Sequence, residues 1–153
     1  MKKITTLDRK FAAIVLGFVA AFMIVLPALS ANGSDNTYTG LQVVFGHEFI
    51  NLGGFGSGAI KFSVLNFVAY ALPMSAALVL LLNKGGQMVS TLLFGAAAIL
   101  LFLVPTFTVV TVTVLGNVTT IDIDWAYAAG LIIAIVLSMI GFTLGLYTIY
   151  KKS

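Results

Sequence analysis

Uncharged apolar residues run through this chain in four long stretches, residues 11–31, 62–83, 88–107 and 125–150, separated by shorter polar segments. At about 1.5 Å per helical residue, each stretch matches the roughly 30 Å thickness of a bilayer hydrocarbon core and predicts a membrane-spanning helix. The polar segment between the second and third stretches, Asn83-Lys84-Gly85-Gly86-Gln87, is a tight turn that makes those two helices antiparallel neighbours. The other two segments, residues 32–61 and 108–124, are longer and fall together on the opposite face.

Those two outer loops carry strand signals. The aromatic and β-branched content of residues 38–45 predicts a short strand, and Gly53-Gly54-Phe55-Gly56-Ser57-Gly58 predicts a flexible return. Beyond Pro105, near-alternating Thr and Val lead to Gly116-Asn117, after which Asp122 and Asp124 alternate with Ile121 and Ile123. A hairpin with one wet and one dry face accounts for that order; continuation of the third helix is the alternative. The predicted fold is an all-α membrane protein. It is a single domain over residues 1–153, a four-transmembrane-helix bundle with a small extracytoplasmic β-sheet formed by the two outer loops.

Small residues recur along two of the helices. Ala13, Gly17 and Ala21 are spaced four apart on the first, and Gly130, Ala134, Ser138, Gly141 and Gly145 form a continuous groove on the fourth. Small side chains at such spacing let helix backbones approach closely, so these residues are the predicted helix-packing interface. Gly141 and Gly145 also form a GxxxG pair, which serves packing within the bundle or association between copies. On the second helix Asn66, Pro73 and Ser75 interrupt an apolar sequence; they are expected to face other helices, with a kink near Pro73, and are the candidate lining of any permeation path.

Composition and charge sharpen the membrane reading. The chain is 60% hydrophobic and only 8% charged, with a mean hydropathy of +1.12, far from the soluble average of about a quarter charged residues. Lys2, Lys3, Arg9, Lys10, Lys84, Lys151 and Lys152 fall on one side of the apolar stretches. Asp35, Glu48, Asp122 and Asp124 fall on the other, with Lys61 the one basic exception. Basic residues mark the cytoplasmic side, so the expected location is the plasma membrane, multi-pass, with both termini cytoplasmic. The same residues sit at the ends of apolar runs and form no basic stripe, which argues against a nucleic-acid partner. No cysteine is present, so disulfides and thiol redox chemistry are excluded. The first stretch, with its basic start and Pro27-Ala28-Leu29-Ser30-Ala31, has the features of a signal peptide, but its apolar length favours a retained helix.

The chemistry on offer is sparse. Ion-coupled transport normally needs an acid, a base or a histidine within the span, and none of the four stretches holds one. His47 and Glu48 are the only acid–base neighbours, and adjacent strand residues point to opposite faces. With Asp122 and Asp124 they are candidate outer-face contacts. They are read as solvated loop charges in preference to a metal site, and no catalytic residue or cofactor is predicted.

Gly40-Leu41 after a strand start in a longer first outer loop, and a β-prone extension of the third helix toward a short second loop, resemble the layout of claudin-like tetraspan proteins. The resemblance implies four spans and a paracellular barrier or channel role. Gln42 stands where that group has Trp, and its paired cysteines have no counterpart here. The layout is also similar to that of uncharacterised bacterial four-helix membrane proteins, which implies no activity. The function expected is that of a non-enzymatic structural or accessory subunit in the lipid bilayer, acting on a protein partner or on copies of itself through helix packing and the outer β cap. The alternative is an oligomeric small-solute or ion permeation protein lined by Asn66, Pro73 and Ser75.

Overall fold

The computed structural model describes residues 6–83 and 85–152, so Lys2, Lys3 and Lys84 of the basic set lie outside the described residues. The chain opens with α1 (Thr6–Phe22) and a 3-10 turn, Met23–Val25, followed by β1 (Pro27–Ala31), β2 (Thr37–Thr39), α2 (Gly40–Phe45) and β3 (His47–Asn51). A second 3-10 turn, Gly53–Phe55, leads into β4 (Gly56–Ile60), α3 (Val64–Leu82), α4 (Gln87–Phe102) and α5 (Val104–Phe107). The remainder is β5 (Val110–Val114), β6 (Asn117–Ile121), β7 (Trp125–Tyr127) and α6 (Ala129–Lys152).

The expected all-α, four-span, tetraspan bundle is therefore corrected to a mixed α/β fold that has, among the described residues, six helices and two antiparallel sheets, of three and four strands. Among the described residues only α3, with 19 residues, and α6, with 24, are long and apolar enough to cross a membrane. The other two stretches are broken by proline and by strand pairing. In the first, α1 ends at Phe22 and the chain turns extended at Leu26. Pro27, which cannot donate to a helix, begins a strand that pairs with β2 on one side and β7 on the other. In the third stretch Pro105 removes the N–H that would continue α4, and the chain restarts as the single turn of α5. At about 1.5 Å per residue, α1 and α4 reach roughly 24 to 26 Å. In the fourth stretch, residues 125–127 extend to pair Leu29 with Tyr127 and Ala31 with Trp125.

The single small sheet is likewise replaced by two. The three-stranded sheet runs β2-β1-β7 and the four-stranded sheet β3-β4-β5-β6. Residues 40–45, read as strand, form a helix because Thr39 and Gln42 make a reciprocal capping box: Gln42 N donates to Thr39 Oγ1 and Thr39 N to Gln42 Oε1. The second half of the Gly-rich return, from Gly56, opens β4, which is paired on both sides. In the β5–β6 hairpin Val114 pairs with Asn117, so the turn residues are Leu115 and Gly116, one position earlier than the sequence suggests. Both have positive φ, 49° and 84°, as a type I′ turn requires.

Four helices close a ring in which α1 and α4 each contact both α3 and α6. Both sheets attach at one end of this ring. One buried cluster fills the junction, with Ala28 and Leu29 of β1, Val43 and Val44 of α2, Ala69 and Tyr70 of α3, and Leu131 and Ala134 of α6. A second, around Ala13, Ala76, Leu80 and Phe94, lies deeper among the helices.

Candidate functional site

The interior of the helix ring is built on missing side chains. A β-carbon on Gly17 would meet Pro73 O at 2.5 Å and Ala77 Cβ at 2.7 Å, so α1 rests directly on the backbone of α3. On α6, Gly130 faces Leu26 and Pro27, Gly141 faces the ring of Phe94, and Gly145 faces Thr91. Ala13, Ala134 and Ser138 are buried. Ala21 is only half-buried and lines a cleft of about 310 Å³ with Phe18, Phe67, Tyr70 and Met74, while Ala20 takes the buried position on α1. Close backbone approach gives these seams their van der Waals contact, the main attraction between helices when the surroundings are as apolar as the side chains.

The polar groups of the second apolar stretch are tied into the packed interior. Asn66 is fully buried, and its Nδ2 donates to Val43 O at 3.3 Å and to Thr108 Oγ1 at 3.0 Å. Thr108 Oγ1 in turn donates to Val104 O. Asn66 thus pins α3 to α2 and to the segment leading into β5. Pro73 is buried and α3 runs unbroken through it, its carbonyl lying against Gly17. Ser75 Oγ donates to Ala71 O of its own helix. Ser90 Oγ crosses from α4 to Ala76 O on α3, a bridge that sequence reasoning missed. Asn66 Oδ1, Tyr70 OH and Ser138 Oγ are buried without a hydrogen-bond partner.

Charge separates along the ring axis. Lys10 and Lys152, with Asn83, Gln87 and Thr148, line a small cleft at the end away from the sheets. Arg9 stacks its guanidinium 4.7 Å from the Tyr147 ring centroid at that same end. At the sheet end, His47 and Glu48 pair with Ile60 and Ala59 on β4. His47 is half-buried, its ring 6.1 Å from that of Tyr38, and Glu48 is exposed. Asp122 is exposed just beyond β6. Asp124 Oδ2 accepts from Asn32 Nδ2 at 2.7 Å and its carbonyl accepts from Asn32 N, joining the two outer loops. Among the described residues no three His, Cys, Asp or Glu side chains gather as a metal site.

Tyr38, which the sequence marks only as the start of a predicted strand, links the two sheets. Its ring lies 5.7 Å from Trp125 in an edge-on arrangement and 6.2 Å from Phe49, so one side chain touches both sheets. Tyr127 performs a related task on α4, donating its hydroxyl to Phe102 O at 2.6 Å and so satisfying a carbonyl at the helix end.

No known protein family, curated protein or solved structure matches this chain.

Proposed function

We propose that this chain is a non-enzymatic integral membrane protein, a structural or accessory subunit anchored in the plasma membrane by α3 and α6, with α1 and α4 packed against them. One observation carries the reading. The apolar windows of α3 and α6 have mean hydropathies of 2.0 and 2.4, yet only 39% and 33% of them is buried inside the fold. A core helix of a water-soluble protein would be mostly covered. Here many large side chains, such as Phe67 and Met74 on α3 and Ile132, Met139 and Ile140 on α6, are exposed, while the buried faces combine small residues with Tyr70, Leu80 and Leu131. An outer face this apolar suits a hydrocarbon solvent. The positive-inside rule then assigns the Lys10 and Lys152 end to the cytoplasm and both sheets to the outside.

The accessory role is supported by what the fold leaves open. An apolar groove of about 450 Å³ lies between α4 and α6, with Gly95 and Ala98 as part of its lining and Ile99, Phe102, Met139 and Phe142 around them. The small residues would admit a ridge of a partner helix, in the same way that Gly17 admits α3.

The test uses the absence of cysteine. Single cysteines at Asp35 and Lys152 in intact cells are expected to react with an impermeant maleimide at Asp35 only, and at Lys152 after permeabilisation. Release of the chain into the supernatant on alkaline carbonate extraction would refute the anchoring. Photo-crosslinking from Ala98 is expected to trap a membrane protein or a second copy, and a groove that traps only lipid would refute the accessory role.

A further inference from the structure

The far end of the four-stranded sheet is apolar where an outer-face sheet should be polar. Phe55 is 77% exposed, Leu115 72% and Leu52 65%, and Val114 and Val118 beside them are exposed as well. Leu115 also sits at φ 49°, a conformation that favours Gly, Asn or Asp. A residue that is both strained and exposed to water is an unfavourable choice for the fold alone, and such outliers point to function.

Two loops make this tip, and they are fastened together: Leu115 N donates to Phe55 O. Within the first loop, Leu52 N donates to Gly56 O at 2.7 Å, Phe55 N to Leu52 O, and Gly53 N to Asn51 Oδ1 at 2.9 Å. Internal pairing of these backbone donors lowers the penalty for leaving water. The strand ends nearest the tip, Asn51, Ser57, Thr113 and Asn117, carry no charge. Glu48, Lys61 and Asp122 all lie near the other end, where Ile60 pairs with His47 and with Val110, and Val110 with Ile121. At about 3.4 Å per residue, Glu48 is some 10 Å back from the tip.

The tip lies at the end of the strands away from their helix connections: Ile60 of β4 leads into α3 through residues 61–63, and α5 leads into Val110 of β5 through residues 108–109.

We propose that the paired tips, residues 52–55 and 115–116, dip into a second lipid bilayer that faces the one holding α3 and α6, so that the protein bridges two lipid surfaces. This rests on the anchoring proposed above. An uncharged tip with four of its backbone N–H groups paired internally suits a fluid apolar phase, which needs no complementary pocket.

The test is fluorescence of the full chain in nanodiscs, with the environment-sensitive dye NBD on Gly54→Cys, a position with open space around its α-carbon. Addition of protein-free phosphatidylcholine vesicles is expected to raise and blue-shift the emission, and doxyl lipid in those vesicles to quench it, while dye on Asp35→Cys does not respond. Leu115→Asn relieves the strained turn, so it should keep the fold and raise by roughly tenfold or more the vesicle concentration needed. No response to vesicles overturns the proposal, as does a blue-shifted dye before vesicles are added, or a response only to discs carrying the chain. Dye on Ile140→Cys should be blue-shifted in discs alone; dye in water there overturns the anchoring itself and this proposal with it.

Discussion

The ring of Phe94 on α4 packs against the bare backbone of Gly141 on α6, so closely that a β-carbon on the glycine would stand 2.7 Å from Phe94 Cδ1. Phe94 is itself fully buried and has nowhere to retreat. Gly141→Ala is therefore expected to destabilise the protein by about 1 to 3 kcal/mol through overpacking. Gly95→Ala meets Phe142 at 3.1 Å instead, and that ring is only half-buried. Its effect should be smaller. Thermal unfolding in detergent gives the ranking, and equal Tm values for the two variants would contradict it.

Asn66 and Thr108 form the second testable unit. Asn66→Ala removes two hydrogen bonds that join α3 to α2 and to the approach to β5, and should cost about 1 to 3 kcal/mol. Thr108→Val should cost less. Because the two side chains share a bond, the double variant should lose less stability than the sum, by about 0.5 kcal/mol or more. Strict additivity in chemical denaturation would show the bond to be energetically idle.

Ser138 presents the opposite case. Its Oγ is buried on α6 without a partner, so Ser138→Ala removes an uncompensated polar atom while keeping the small size that the seam needs. The expected outcome is a gain of about 1 kcal/mol. A loss of stability would mean that the hydroxyl is satisfied in solution.

The hairpin turn gives a fourth prediction. Asn-Gly is the preferred pair for a type I′ turn, and Leu115 holds the first position at positive φ. Leu115→Asn should raise stability by about 1 kcal/mol. A fall in Tm would show that the exposed leucine contributes more to the folded chain than its backbone strain removes.

The cores of the main helices were legible, because 3.6-residue helices and apolar composition leave a strong trace over 15 or more positions. The ends were not. Hydropathy cannot separate a helix from a buried strand, so Pro27–Ala31 and Trp125–Tyr127 were absorbed into the runs beside them, and two long apolar stretches appeared to be spans that α1 and α4 do not fill. The pairing of Leu29 with Tyr127 spans most of the chain and leaves no local mark. The Thr39–Gln42 capping box, by contrast, was readable at its three-residue spacing and was overridden by the β-prone composition around it. The small-residue positions of the seams stood out in the sequence, but which residue each one faces did not. Among the outer-face residues, Asp124 finds Asn32, while His47 neighbours Tyr38, a contact with no local signal in the sequence. The tip formed by Phe55 and Leu115 escaped notice because its two halves are brought together only by the sheet register.

The position of β1 has a bearing on biosynthesis. Ala28 and Leu29, within the stretch that looks like a peptidase recognition sequence, are sealed at 0% exposure in the middle strand of a sheet. One neighbour, β7, is translated almost a hundred residues later. A peptidase that acted on this stretch would have to do so before β7 emerges and docks, because β1 is then paired on both sides. A protease acting sooner would leave β2 and β7 without the strand that joins them.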